Sequence, residues 1–511
     1  MKGNKIISVL VVLFLVASSF AGVASADSGI DKISSSVEND IDWRGNLDVN
    51  DDVVRYGNSG NPSFIVTVSD ANKSNTLQSW ANESEEREIR SQLTENKSLV
   101  VAPSNDVLQK GWFTSSGLWT KSYITSVDYN SNVGIIEPVS SVENENVSTL
   151  TKYATNGEFG VGQSSSVNES TIADVRQNVG VNDVSVTGNN TTVGIIDTGL
   201  TEDSNLYQSR VSHAKNFVNN TTGISNVTDG NGHGDWVASA IAADPDPNTS
   251  GEQFEGIAPD ANLTIAKAMA NDGSGSTADI IQAVEWTCER SDVVSMSLGS
   301  PMYSESIADA VRDCVDTHNT TVVIAVGNSG ENPATMYVAS PADTDSEGII
   351  SVGASTNEIA NNSTIATFSQ VGPDRGIQST STAGESPDVA APGMQITVKT
   401  ADGNSTLSGT SMATPITSGV IALGMEQDSS LKDNPSDVRE RIYDTSERMP
   451  NAAVQETQSG LIDADNFVSN TSVEKSQNEV MNEKAFARNR FYETYSTSRV
   501  ISTIESIGDW F

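Results

Sequence analysis

Histidine is nearly missing from this chain of 511 residues, which holds three, at positions 213, 233 and 318. Chemistry that needs a side chain exchanging protons near neutral pH therefore has few candidates. Basic residues are scarce as well: 29 Lys and Arg stand against 67 Asp and Glu, for a formal net charge of −38. That excess of negative charge excludes a phosphate backbone as a partner, so no nucleic acid is expected. After the N-terminal segment no run of about 18 continuous apolar residues occurs, so no membrane span is expected. Cysteine is limited to Cys288 and Cys314.

What is present begins with an address. Lys2 and Lys5 precede an apolar core at 6–16, and Ala24-Ser25-Ala26 offers a small-residue cleavage site. This pattern is that of a secretory signal, residues 1–26, cut after Ala26, and it predicts a secreted, extracellular protein. Asn-x-Ser/Thr triplets at Asn72, Asn82, Asn226 and Asn262 suit an exported surface. In concentrated salt, repulsion among so many carboxylates is screened within roughly 3 Å at 1 M, and the acidity is read as such an adaptation.

Three short stretches carry nucleophile, base and acid. Gly409-Thr410-Ser411-Met412-Ala413-Thr414 is followed by Pro415 and an apolar run at 416–425. Ser411 thus stands at the mouth of a helix, among unpaired N–H groups that favour negative charge. Asp197 ends the apolar stretch Val193-Gly194-Ile195-Ile196 and precedes Thr198-Gly199, which holds a carboxylate at a sheet edge. Taken alone, this reads equally as an ordinary strand-end turn. His233 lies between Gly232 and Gly234 before a small-residue helix at 237–243, and such glycines permit close backbone packing. His213 falls in a polar stretch and His318 near a helix C-terminus, where a cation is favoured anyway.

Asp197, His233 and Ser411, in that order, resemble the subtilisin-like serine peptidases, the subtilases. The likeness runs from about residue 165 to about residue 468 through further blocks: Gly256-Ile257-Ala258-Pro259-Asp260-Ala261, Ala325-Val326-Gly327-Asn328 and Gly460-Leu461-Ile462-Asp463-Ala464. The resemblance implies a secreted endopeptidase acting on polypeptides, with Asn328 donating to the oxyanion. It implies substrate backbone laid along Ser295, Met296, Ser297, Leu298 and Gly299, with Asp272, Gly273, Ser274 and Gly275 on the other side. Small groups at 297–299 and 325–328 imply a pocket with room for a large apolar side chain. The fold implied is α/β, three-layered, with a mostly parallel central sheet. The acidity makes the chain similar to halolysin-type subtilases. No cofactor is required for the chemistry; a structural calcium is allowed for, with the acidic loop 244–255 as its candidate, although no ligand is assigned. Where subtilases carry His-Gly-Thr, this chain has Asp235 after His233-Gly234, and Ser239 follows Ala238. Asp235 places an extra charge near the base and leaves open an inactive relative that binds peptides without cutting them.

The organisation expected is a signal at 1–26, a propeptide at 27–162 that assists folding and inhibits the cleft, a catalytic domain at 163–468 and a tail at 469–511. A permanent binding domain is the alternative for 27–162. The whole is expected to be a monomer. Strands are predicted at 64–68, 133–136, 192–196, 263–268, 292–297, 321–326 and 349–352 from their β-branched content. Helices are predicted at 277–289 and 305–317, with a polar one at 82–93 and another at 473–490. A polar stretch at 160–170 reads as a linker containing the mature N-terminus. If the helices 277–289 and 305–317 lie side by side, Cys288 and Cys314 sit at similar height and can pair; two reduced core cysteines are the alternative.

Overall fold

The computed structural model describes residues 62–103, 107, 118, 121–136, 138–139, 170–202, 210–245, 254–300, 303–330, 338–372, 387–450, 452 and 456–473. The expected signal, nearly all of the linker at 160–170 and all but the first residue of the tail helix at 473–490 lie outside them.

The N-terminal module is built from β1 (Ser63–Val68), α1 (Ser74–Ala81), β2 (Glu88–Gln92), β3 (Lys97–Val101) and β4 (Ile124–Tyr129). Its antiparallel sheet has the order β2-β3-β1-β4. Successive side chains point to opposite faces of a strand. Phe64, Val66, Val68 and Val100 therefore pack with Leu77 and Trp80 of α1, while Ile65 and Leu99 join a different apolar cluster. The helix expected at 82–93 is not found. The helix ends at Ala81, a turn follows, and Glu88–Gln92 is an edge strand alternating exposed and half-buried residues. Charged side chains are at home on such an edge.

After β4 comes β5 (Asn132–Ile135). The larger module begins with β6 (Ser170–Thr171) and α2 (Ile172–Asn178). Next are β7 (Thr192–Asp197), β8 (Val211–Asn216), β9 (Thr221–Thr222), α3 (His233–Ala242) and β10 (Asn262–Lys267). Then come β11 (Ser274–Ser276), α4 (Thr277–Cys288), β12 (Val293–Met296), β13 (Leu298–Gly299), α5 (Glu305–His318), β14 (Thr321–Ala325) and β15 (Ile349–Ser355). The remaining elements are β16 (Val389–Pro392), β17 (Ile396–Thr400), β18 (Gly403–Leu407), α6 (Thr410–Gln427), α7 (Pro435–Thr445) and α8 (Ala464–Ser469).

The central sheet runs β16-β15-β14-β12-β7-β10-β8-β9, and every pairing is parallel except β8 with β9. Val193, Ile195, Leu263 and Ile265 share one apolar cluster with α3 and α6. Ile196, Ala266, Val294 and Ile324 share another with α4 and α5. With helices over both faces, the strands read as continuous apolar runs instead of alternating ones. This is the three-layer α/β architecture with a mostly parallel sheet. Ser276 and Ser304 cap α4 and α5 by accepting from the N–H groups of Asp279 and Ile307. Cys288 and Cys314 join the same two helices in a disulfide, with a Cα–Cα distance of 5.5 Å.

The N-terminal module sits against these two helices. Ile65, Leu93 and Leu99 belong to the same buried cluster as Ile307 and Val311 of α5 and Ile280 and Val284 of α4. Orphan N–H groups at both helix starts find acceptors there. Asp128 Oδ2 accepts from the Ser306 N–H at 2.6 Å, and Asn130 Oδ1 accepts from the Ala278 N–H at 3.0 Å. The Ser131 carbonyl accepts from the Thr277 N–H at 3.0 Å. Lys97, 1 % exposed, places its ammonium 3.8 Å from Asp309 and 3.9 Å from Asp313.

Candidate active site

Asp197 is the last residue of β7. Its Oδ1 accepts from the Thr198 N–H at 2.7 Å and from Thr198 Oγ1 at 3.2 Å, and lies 2.8 Å from His233 Nδ1. Glycine makes this approach feasible. A Cβ on Gly199, at φ +123°, would stand 2.1 Å from the Val227 carbonyl oxygen, and one on Gly234 would stand 2.2 Å from the Gly199 carbonyl oxygen. The turn after the acid and the first turn of α3 thus pack backbone on backbone. The Gly234 N–H also donates to Thr198 Oγ1 at 2.9 Å.

Ser411 is the second residue of α6, and His233 opens α3. The two helices share one apolar cluster through Trp236, Val237 and Ile241 on one side and Met412, Ala413 and Ile416 on the other. Asn328 Oδ1 accepts from the Thr410 N–H at 2.8 Å and from Thr410 Oγ1 at 3.0 Å. With its oxygen so engaged, the amide turns its donor nitrogen elsewhere, and a Cβ on Gly409 would lie 2.8 Å from that nitrogen. Thr410 Oγ1 accepts in addition from the Gly327 N–H at 3.1 Å.

The groove beside Ser411 holds a stretch of the chain itself. β5 lies antiparallel between β11 and β13 in a three-stranded sheet. The Ile135 N–H donates to the Gly273 carbonyl at 2.9 Å, and the Ile136 N–H to the Ser297 carbonyl at 3.2 Å. The Ser411 hydroxyl donates to the Ile136 carbonyl at 2.8 Å. Beyond it, the Val139 N–H donates to the Ser408 carbonyl at 2.8 Å. Ser297 also ties the groove to Ser411, its hydroxyl donating to the Ser411 carbonyl at 3.1 Å.

Among the residues expected to line the groove, Ser297, Leu298 and Gly299 flank β5 on one side and Gly273, Ser274 and Gly275 on the other. Ser295 and Met296 do not belong with them. They lie inside β12, paired with β7 and β14 in the central sheet, and the groove begins where the chain leaves that sheet. Asp272 shapes the turn before β11: its Oδ1 accepts from the N–H and hydroxyl of Ser274 at 3.0 and 2.7 Å. Those bonds hold its carboxyl below the usual range.

Asp235 is tied elsewhere. Its Oδ1 accepts from the Thr201 N–H at 2.6 Å, and its own N–H donates to Asp229 Oδ2 at 2.9 Å. Two positions along a helix, it projects from a different side than His233. Burial pushes its carboxyl up to about 6. His213 packs edge-on against Trp286, and His318 closes the last turn of α5.

Three contributors were not legible in the motifs. Thr198 bridges Asp197 and Gly234, and Thr410 orients Asn328. Lys267 pairs with Asp197 in the parallel register of β10 and β7. Its buried ammonium donates to the Thr198 carbonyl and to Asn271 Oδ1. Burial lowers its pKa, opposed by the charges of Asp229, Asp197 and Asp235. A lysine closing an otherwise apolar strand was the available signal.

Of the acidic loop 244–255, the candidate for a calcium, residues 244, 245, 254 and 255 are described. Asp244 pairs with Arg210 at 2.7 Å and Glu255 with Arg176 at 3.0 Å. Among the described residues no group of three His, Cys, Asp or Glu side chains is placed to hold a metal, and no helix is long and apolar enough to cross a membrane.

A buried acid against an imidazole, a helix-mouth serine touching a peptide carbonyl and an oriented amide together suit acyl transfer. Comparison with known proteins agrees. The model of the subtilase family matches residues 188–478. Serine protease AprX of Bacillus subtilis is 32% identical over 319 residues, which cover 56% of this chain and 68% of AprX. Subtilisin DY of Bacillus licheniformis is 35% identical over 260 residues, 50% of this chain and 84% of that protein. Among solved structures, fervidolysin from Fervidobacterium pennivorans, described as a keratinolytic enzyme related to subtilisin, has a TM-score of 0.59 at 18% identity. That match covers 82% of this chain and 62% of fervidolysin, less than two thirds of its length, and speaks for the fold alone.

Proposed function

Since the chain belongs to the subtilase family of serine peptidases, we propose that it is a secreted, salt-adapted endopeptidase of broad specificity that cuts polypeptides through an acyl-enzyme intermediate. The observation that carries the reading is the Ser411 hydroxyl against the carbonyl of a strand held on both edges by backbone pairing. Main-chain pairing of this kind is indifferent to most side chains, which supports broad tolerance.

In this reading Ser411 attacks a carbonyl carbon as its proton passes to His233, and Asp197 fixes the imidazole tautomer and balances the imidazolium. Asn328 and the Ser411 amide receive the oxyanion. These roles were worked out on serine peptidases that include subtilisin itself, so they come with the family and not from this chain's geometry alone. Every proton and charge is supplied by side chains, so no cofactor enters the reaction. The docked residues before the catalytic module act as an intramolecular inhibitor of a monomeric precursor, and the surplus of carboxylates suits concentrated salt.

A fluorophosphonate probe in concentrated NaCl tests the reading. Ser411 should take the label and casein should be hydrolysed, both lost in Ser411→Ala. A folded protein freed of its docked N-terminal residues whose Ser411 still stays unlabelled would be a peptide binder and not a peptidase.

A further inference from the structure

We propose that Lys267 is a positioning residue for the acid and base of this site: its ammonium fastens the turn after Asp197 to the loop before His233 and opposes a proton on the imidazole. The inference rests on the peptidase reading and adds to it a cation behind the acid.

Lysine is seldom buried unless its charge is answered, and Lys267, 6 % exposed, closes a strand otherwise free of charge. It stands beside Asp197 in the parallel register of β10 and β7, and its carbonyl accepts from the Phe217 N–H at 2.9 Å. The next two residues, Ala268 and Met269, donate to the Asp197 carbonyl at 3.1 and 3.2 Å. The side chain reaches on to the turn that follows the acid. Its ammonium donates to the Thr198 carbonyl, and a Cβ on Gly199 would lie 3.3 Å from Lys267 Cδ.

The second acceptor, Asn271 Oδ1 at 2.9 Å, belongs to a residue that touches the loop before α3. The Asn271 carbonyl accepts from Asn231 Nδ2 at 3.2 Å, and a Cβ on Gly230 would stand 2.4 Å from Asn271 Nδ2. Asn231 is two residues before His233, whose Nδ1 lies 2.8 Å from Asp197 Oδ1. One ammonium thus holds the backbone on both sides of the contact between acid and base.

Both acceptors are neutral, so the ammonium acts on the carboxylates as a field and not through a contact pair. Around it lie Asp197 of β7, Asp229 of the loop and Asp235 of α3, and Asp402, in the turn from β17 to β18, faces Asp235. From β8 the register partner is the uncharged Asn216, while Lys215 lies over the Phe217 ring. Acids grouped about an imidazole hold a proton on it. Lys267 offsets them, so His233 stays neutral, and able to take the Ser411 proton, at a lower pH than the acids alone would allow. Buried charges are screened far less than exposed ones, so the effect persists in concentrated salt.

The test titrates the full chain, carrying Ser411→Ala so that it stays intact, by NMR of labelled imidazole nitrogens in concentrated NaCl. The chain has three imidazoles, and His213→Gln and His318→Gln assign them. Lys267→Gln, uncharged yet still able to donate to Thr198, should raise the His233 midpoint by about half a pH unit or more. Lys267→Met reads the same where the glutamine does not fold. Lys267→Arg should return the midpoint to the parent's value, with His318 unmoved as the reference. A folded Lys267→Gln chain whose His233 midpoint stays put, whatever its melting temperature, overturns the proposal, and so does an equal rise in Lys267→Arg. In the enzyme freed of its docked N-terminal residues, the acid limb of kcat/KM on casein should rise with the midpoint; an active variant whose limb stays overturns the positioning role. A midpoint that moves as expected, while the chain with Ser411 intact and its groove freed neither takes the fluorophosphonate nor cuts casein, leaves the charge coupling standing and overturns the peptidase reading.

Discussion

The four-stranded sheet of the N-terminal module and the eight-stranded sheet of the larger one differ in what covers them. The large sheet has α3 and α6 on one face and α4 and α5 on the other, all from its own module. The small sheet covers one face with α1 and rests the other on α4 and α5 through Ile65, Leu93 and Leu99. A module of this size buries a modest share of its surface alone. The dependence therefore runs one way: the small sheet needs the large module's helices, and the large sheet is complete without the small one.

The sharpest separation of the two should come from Asn328→Leu. Turnover on casein should fall about 100-fold to 1000-fold, the range known for subtilisin when its oxyanion donor is lost, with the calorimetric melting of the small module unchanged. A melting shift of the small module would show that the groove supports it more than its dock does. Next in size is Leu99→Ala in a Ser411→Ala chain that stays uncut. Truncating this buried leucine should destabilise the small sheet by about 2–3 kcal/mol, visible as an earlier first transition with the second one unmoved. Both moving together would erase the distinction. The smallest effect belongs to the large module alone. Burial raises the Asp235 carboxyl to about 6 from its ordinary value of 3.8, so the folded state holds its proton more tightly, and the associated stability is lost as pH rises through about 6. Asp235→Asn, uncharged throughout and still able to accept from Thr201, should gain a few degrees in Tm over the Ser411→Ala parent between pH 4 and 7. A difference that does not grow across that range would argue against the raised carboxyl.

The large sheet was far more legible in the sequence than the small one, for a physical reason. Strands buried on both faces, such as β7 and β14, are short apolar stretches rich in β-branched residues, a bias that favours strand over helix. Glu88–Gln92, on an open edge, carries charges that read equally well as a polar helix. Asp197, His233, Ser411 and Asn328 announced themselves because each sits in a short glycine-marked stretch. Thr198 and Thr410 act through a neighbour's side chain, which no local pattern records, and Lys267 acts across register, marked only as the lysine that closes its strand. Ser295 and Met296 were drawn into the groove because the chain leaves the central sheet only after Met296, and the sequence does not mark that exit. A strand was foreseen at 133–136; that its partners are the two edges of the groove depends on tertiary placement.

The link from β4 to β5 is Asn130-Ser131, and both residues are fastened to the start of α4. So short a tether works as a gauge: the count of residues from that fastening sets which carbonyl lies against the Ser411 hydroxyl. One residue inserted after Ser131 would bring the present Ile135 carbonyl into the slot and turn every side chain of the strand to the opposite face.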